Sequence, residues 1–115
     1  MRKVDHLYDG KGELVPQKVY DEYNRLYFGG KLPSVPVKWS RKHTKDCRGC
    51  CEYDPKLAIY LNPRFRGWER SWCFTLIHEM VHVEQRHDVR AKDHGHKFQK
   101  RMKQLVNQGA FADLW

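Results

Sequence analysis

Residues 68–87, centred on His78-Glu79-Met80-Val81-His82, constrain this chain more than any other stretch. The pattern is H-E-x-x-H. On a helix, positions i and i+4 lie one turn apart on the same side, so two imidazoles can grip one metal ion from a single face. Glu79 lies one step round the helix, too far to be the natural third ligand and well placed to serve a water beside the metal. Zinc is the expected ion, because neutral imidazole suits it and a catalytic site keeps a fourth position open. The surroundings agree. At about 100° per residue, Trp72, Cys73, Leu76, Ile77, Met80 and Val83 gather on one side, with Phe74 and Val81 on its flank and the two histidines opposite. The alternative is an amphipathic helix whose solvent side carries His and Glu by chance.

The rest of the chain must close a core against that helix. With 115 residues it is expected to be one domain, 1–115, with a single modest core. There is no run of about 18 apolar residues, so no membrane span is expected. The start, Met1-Arg2-Lys3-Val4-Asp5-His6, has no apolar stretch of a secretory leader, which gives a cytoplasmic location and reduced Cys47, Cys50, Cys51 and Cys73 as expectations. The formal charge of +8 favours an anionic partner, nucleic acid being the usual one, against a reading of solubility alone.

Taken in order, Asp9-Gly10-Lys11-Gly12 reads as a turn. A first helix begins near Pro16, carries Val19, Tyr20, Tyr23, Leu26 and Tyr27 as its buried stripe, and stops at Gly29-Gly30. Val35, Val37 and Trp39 alternate with Pro36, Lys38 and Ser40, an edge strand by its prolines. Residues 41–49 form a basic loop with no apolar anchor. Cys51-Glu52-Tyr53 and Leu57-Ala58-Ile59-Tyr60-Leu61 read as two strands joined by a turn at Asp54-Pro55-Lys56. After His87, residues 88–92 read as loop. Asp93 is a candidate N-cap for a last helix with Phe98, Met102, Leu105 and Val106 as its stripe, ended by Gly109. Phe111, Leu114 and Trp115 can dock on the body.

The third ligand is narrowed by what is absent. No Glu follows Glu84, and the spacing H-E-x-x-H-x-x-G-x-x-H would need Gly at Gln85 and His at Asp88. Asp93, His94 and His96 stay open, with His87 a poor fourth. At this point four blocks in order become informative: Tyr23-Asn24-Arg25-Leu26-Tyr27-Phe28-Gly29-Gly30-Lys31-Leu32, Ile59-Tyr60-Leu61-Asn62-Pro63, Leu76-Ile77-His78-Glu79-Met80-Val81-His82, and His94-Gly95-His96-Lys97-Phe98. Together they resemble the SprT-like metalloprotease domain, the family of SprT and Spartan, over nearly all of residues 16–106.

The resemblance implies His78, His82 and His94 as zinc ligands and Glu79 as the catalytic acid/base. It also implies an α+β, zincin-like fold with an N-terminal helix, a small three-stranded sheet, the active-site helix and a C-terminal helix. Many relatives carry a C-terminal four-cysteine zinc ribbon and DNA-binding extensions, and neither is expected within residues 1–115. Two considerations favour His94 within its block. If Asp93 caps the last helix, His94 sits in the first turn, where the dipole keeps imidazole neutral. His96, two residues on, then faces roughly the opposite way.

The expected activity is zinc-dependent endopeptidase action on a protein or peptide substrate, with an edge strand pairing the substrate's backbone. Tyr60, Arg64 and Arg66 are candidates to steady the oxyanion. Nucleic acid is expected at the basic loop 41–48 (Arg41, Lys42, Lys45 and Arg48, beside Trp39) and the basic face 97–103 (Lys97, Lys100, Arg101 and Lys103), against a reading of both as solvated charge. The molecule is expected to be a monomer. A non-catalytic nucleic-acid- or protein-binding module with a structural zinc is the main alternative. A deformylase-like hydrolase is disfavoured, because Val81 stands where H-E-x-D-H needs Asp. Cys47-x-x-Cys50-Cys51 offers no obvious fourth ligand for a second metal, so these are expected to be loop and strand thiols.

Overall fold

The computed structural model describes residues 5–88 and 94–111. Asp9 begins the folded chain with a tight turn: its carboxylate accepts the Lys11 and Glu13 amides at 2.8 and 2.9 Å. The reversal brings Tyr8 beside Leu14 in an isolated antiparallel bridge. Helix α1 spans Pro16–Tyr27, with the proline at its start, where the missing N–H costs nothing. Val19, Tyr20 and Tyr23 are buried as expected, whereas Leu26 is left exposed at the helix end. Gly29 and Gly30 both take positive φ, and the Asn24 side chain clamps the turn by bonding both the N–H and the C=O of Leu32.

The sheet has the order β1–β3–β2, from β1 (Val37–Trp39), β2 (Gly49–Glu52) and β3 (Ala58–Leu61). Strand β1 runs parallel to β3, with Val37 opposite Ile59, and β2 runs antiparallel, with Cys51 opposite Ile59. The proline-flanked strand is an edge, as its sequence demands. Gln17 of α1 fixes it: its side-chain amide donates to Val35 O and accepts from Val37 N, each at 2.9 Å.

Residues 41–48 are more ordered than a loop without apolar residues suggests. A 3-10 turn covers Lys42–Thr44, and Thr44 is fully buried, its hydroxyl donating to Ser40 O at 2.6 Å. Asn62 donates to both Thr44 O and Cys47 O at 3.0 Å. Polar side chains therefore hold this segment where hydrophobic burial cannot.

Helix α2 spans Glu69–Glu84 and packs against α1, β2, β3 and the last helix, α3 (His96–Asn107). Trp72, Cys73, Leu76, Ile77, Met80, Val81 and Val83 are all buried. The helix ends three residues earlier than its sequence suggests. No glycine stops it; instead the Arg86 guanidinium donates to Val83 O at 2.7 Å and satisfies a terminal carbonyl. His87 thus lies in an exposed turn and not on a helical face. Phe74, expected on the buried flank, is 46% exposed and packs on Phe111 with ring centres 5.1 Å apart. Phe98 and Leu105 carry the buried side of α3, while Val106 faces out. Asp93 and the docking of Leu114 and Trp115 lie outside the described residues. The α+β architecture and the order of its elements are those expected. Among the described residues no helix is long and apolar enough to cross a membrane.

Candidate metal centre

Helix α2 presents His78 and His82 on its half-exposed side, one turn apart. The chain then leaves the helix and returns at His94. The His94 Nε2 atom lies 2.8 Å from that of His78 and 3.2 Å from that of His82. The three ligand atoms lie within 4.8 Å of one another, and they form the one such group of His, Cys, Asp or Glu among the described residues.

Zinc fits this donor set. Tetrahedral Zn–N bonds of 2.0–2.1 Å place ligand nitrogens about 3.3 Å apart. His94 Nε2 offers a single proton or lone pair to its two neighbours, so a cation that accepts all three lone pairs suits the cluster better than hydrogen bonds among its members. The residues brought together are His78, His82 and His94; His87, His96 and the cysteines are not.

His94 reaches this point by an unexpected route. Helix α3 starts at His96, so His94 lies before it, not in its first turn, and takes φ +56°. A non-glycine residue in the left-handed region is uncommon and costs roughly 1–2 kcal/mol. The reversal that returns the chain to α2 therefore strains this residue, and a metal bound at the cluster would supply a compensating interaction.

Phe98 was read from the sequence only as an apolar stripe residue. Its ring, nearly buried, lies 4.8 Å from the His78 and His82 rings and 4.9 Å from that of His94, centre to centre. One side chain of α3 thus supports all three imidazoles. The available signal was the pairing of His94 with an aromatic four residues later. Phe98→Ala should lower stability by about 3 kcal/mol, as for a buried aromatic, and also weaken zinc binding by about tenfold or more. Zinc titration against a competing chelator separates the second effect from the first.

Glu79 is buried, 7% exposed, and lines the same cleft as the histidines. That cleft has a volume of about 770 Å³. Its opposite wall is β2, whose Gly49, Cys50 and Cys51 face the α2 residues Thr75 and Glu79. Gly49 allows the approach: a Cβ there would sit 2.7 Å from Thr75 Cγ2 and 3.1 Å from Tyr60 O. Strand β2 is an outer strand of the sheet, and its residues Gly49, Cys50 and Cys51 line the cleft.

Tyr60 and Arg66 are placed elsewhere, which corrects them as oxyanion candidates. Tyr60 stacks on His43 at 3.9 Å, and Arg66 bonds Glu13 and lies over Trp39. Arg64, exposed on the 3-10 turn Pro63–Phe65, does not line the cleft either. Arg48 and Arg86 are the arginines that line it. Cys50 donates to His43 O at 3.2 Å, and burial pushes its pKa up to about 12, that of Cys51 to about 11 and that of Cys73 to about 12. These thiols keep their protons at neutral pH, which suits packing better than ligation.

The two basic regions differ. Lys97 pairs with Asp88, and Arg101 bonds Glu84 and Tyr27 O while covering Phe28. Half of the face 97–103 is therefore structural. Arg41, Lys42 and Lys45 are exposed and form no ion pair among the described residues.

Residues 16–113 match the family described as SprT-like. The human DNA-dependent metalloprotease SPRTN is 31% identical over a region covering 86% of this chain and 23% of that protein. Its mouse counterpart is 30% identical, covering 98% and 25%, and the zebrafish one 34% identical, covering 81% and 16%. The chain thus spans about a quarter or less of the length of these relatives. They also correct the expected cytoplasmic location. That expectation rested only on the lack of an apolar leader, whereas the relatives are named for dependence on DNA, which argues against confinement to the cytoplasm.

Proposed function

The chain belongs to the SprT-like family, and from that premise we propose that it is a zinc-dependent endopeptidase acting on proteins associated with DNA. The observation that carries this reading is the convergence of His78, His82 and His94 beside buried Glu79 on the wall of an open cleft. A structural zinc site is normally closed by a fourth protein ligand. Three converge here among the described residues, which favours catalysis over a binding module with a retained zinc.

Zinc held by these imidazoles supplies Lewis acidity, bringing the pKa of water down to about 7 and polarising a carbonyl. The chain's own residues do the rest. The Glu79 carboxylate takes the proton of the attacking water as its oxygen bonds the peptide carbon, then passes that proton to the leaving nitrogen as the C–N bond breaks. The free edge of β2 pairs with the backbone of an extended substrate, giving affinity with little side-chain preference. Phe98 holds the three rings in place.

Nucleic acid contacts the basic segment 41–48, where Arg41, Lys42 and Lys45 are exposed. The face 97–103 contributes Lys100 and Lys103 at most. The relatives' naming as DNA-dependent supports a nucleic-acid partner. The test is cleavage of histone and casein by zinc-loaded protein, with and without single-stranded DNA. Cleavage that DNA stimulates and salt suppresses is expected, since phosphate contacts release counterions. No cleavage of either substrate under any of these conditions would overturn the reading.

A further inference from the structure

Trp68 is 66% exposed, the most exposed large apolar side chain among the described residues. It precedes α2 directly and is not used to bury the helix. Its ring is nonetheless held: Phe65 meets it edge-on, with centres 5.7 Å apart and planes at 63°. The Arg48 guanidinium lies 5.3 Å from the Phe65 ring centre, on its face. Arg48 also lines the cleft, so the aromatic pair continues outward from the cleft's rim.

We propose that Phe65, Trp68 and Arg48 form a stacking platform for single-stranded nucleic acid at one end of the cleft. This rests on the reading above that nucleic acid is a partner, and it names where an unpaired base would sit. An indole held in place yet open on its surface offers what a base face needs, and such stacking tolerates any base. A duplex hides its base faces, so the platform selects single strands. Charge agrees with the occupant. Arg48, over the Phe65 ring, and Arg64, next to Phe65 in sequence, are exposed and form no ion pair among the described residues. Arg48 also ends the basic segment 41–48, which gives the backbone a positive path to the platform. Arg66 does not take part, being engaged by Glu13 and Trp39, and Glu69 is the carboxylate nearest in sequence.

The test uses the Glu79→Gln form of the chain, so that binding is read without turnover. Fluorescence anisotropy of a labelled oligothymidylate is measured against a duplex of the same length at low ionic strength. Trp68→Leu should weaken single-strand binding about tenfold, as loss of one base–aromatic stack does, while Trp68→Phe stays within about twofold. Duplex binding should be weaker and indifferent to residue 68. Arg48→Ala, on a separate element, should also weaken single-strand binding. Equal single-strand affinity in the parent and Trp68→Leu proteins would overturn the platform, and so would a parent that does not bind oligothymidylate. Neither result bears on peptidase activity, which histone cleavage by the parent decides separately.

Discussion

Glu79→Gln should leave zinc stoichiometric and the melting temperature close to that of the parent, yet slow peptide cleavage about a thousandfold. The carboxylate is buried on the cleft wall and is not among the three converging ligand atoms. Glutamine keeps its size and polarity but cannot accept the proton of water. Burial also means that a smaller residue would leave a void, so the amide is the clean substitution. Zinc analysis and a casein assay on the same sample check both halves. Full activity in this variant would remove Glu79 from the reaction.

His94→Ala should abolish cleavage and weaken zinc binding by more than the roughly 10–100-fold that loss of an outer-shell partner costs. Two imidazoles from α2 would leave a bound ion open on one side, and His94, whose Nε2 lies 2.8 and 3.2 Å from theirs, would close it from a separate segment. The backbone there adds a second expectation. Because His94 has φ +56°, His94→Gly relieves strain while removing the same ligand. The glycine variant should therefore be the more stable of the two without zinc and equally inactive. His87→Ala and His96→Ala, both altering exposed side chains outside the cluster, should keep zinc. Retention of tight zinc binding by His94→Ala, with its loss in His96→Ala, would reverse the assignment.

What the amino-acid pattern made legible follows from the physics that wrote it. The α1 stripe, the alternation of Val35, Val37 and Trp39, and the turn between β2 and β3 are local and periodic, so they predict elements near their observed places. H-E-x-x-H declares its own geometry, because helical spacing alone puts His78 and His82 together. The end of α2 was less legible, since Arg86 stops it through a side chain reaching back to Val83 O and leaves no glycine signal. The position of His94 needed the return path of the chain, which no periodicity encodes. Thr44 and Asn62 order the segment 41–48 through side-chain hydrogen bonds to its backbone, invisible to a search for apolar anchors. Phe98 looked like core because it is core; its contact with three imidazoles depends on α3 crossing α2. The basic face 97–103 shrank for the same reason, once Glu84 and Asp88 were seen to face Arg101 and Lys97.

The central claim is that zinc held by His78, His82 and His94 lets Glu79 drive peptide hydrolysis in this cleft. Its most direct test is casein cleavage by protein stripped with a chelator and then given back stoichiometric zinc. The expected result is loss of cleavage on stripping and full recovery with zinc, with no recovery in the Glu79→Gln form. Cleavage that survives stripping, or that returns equally in Glu79→Gln, would contradict it.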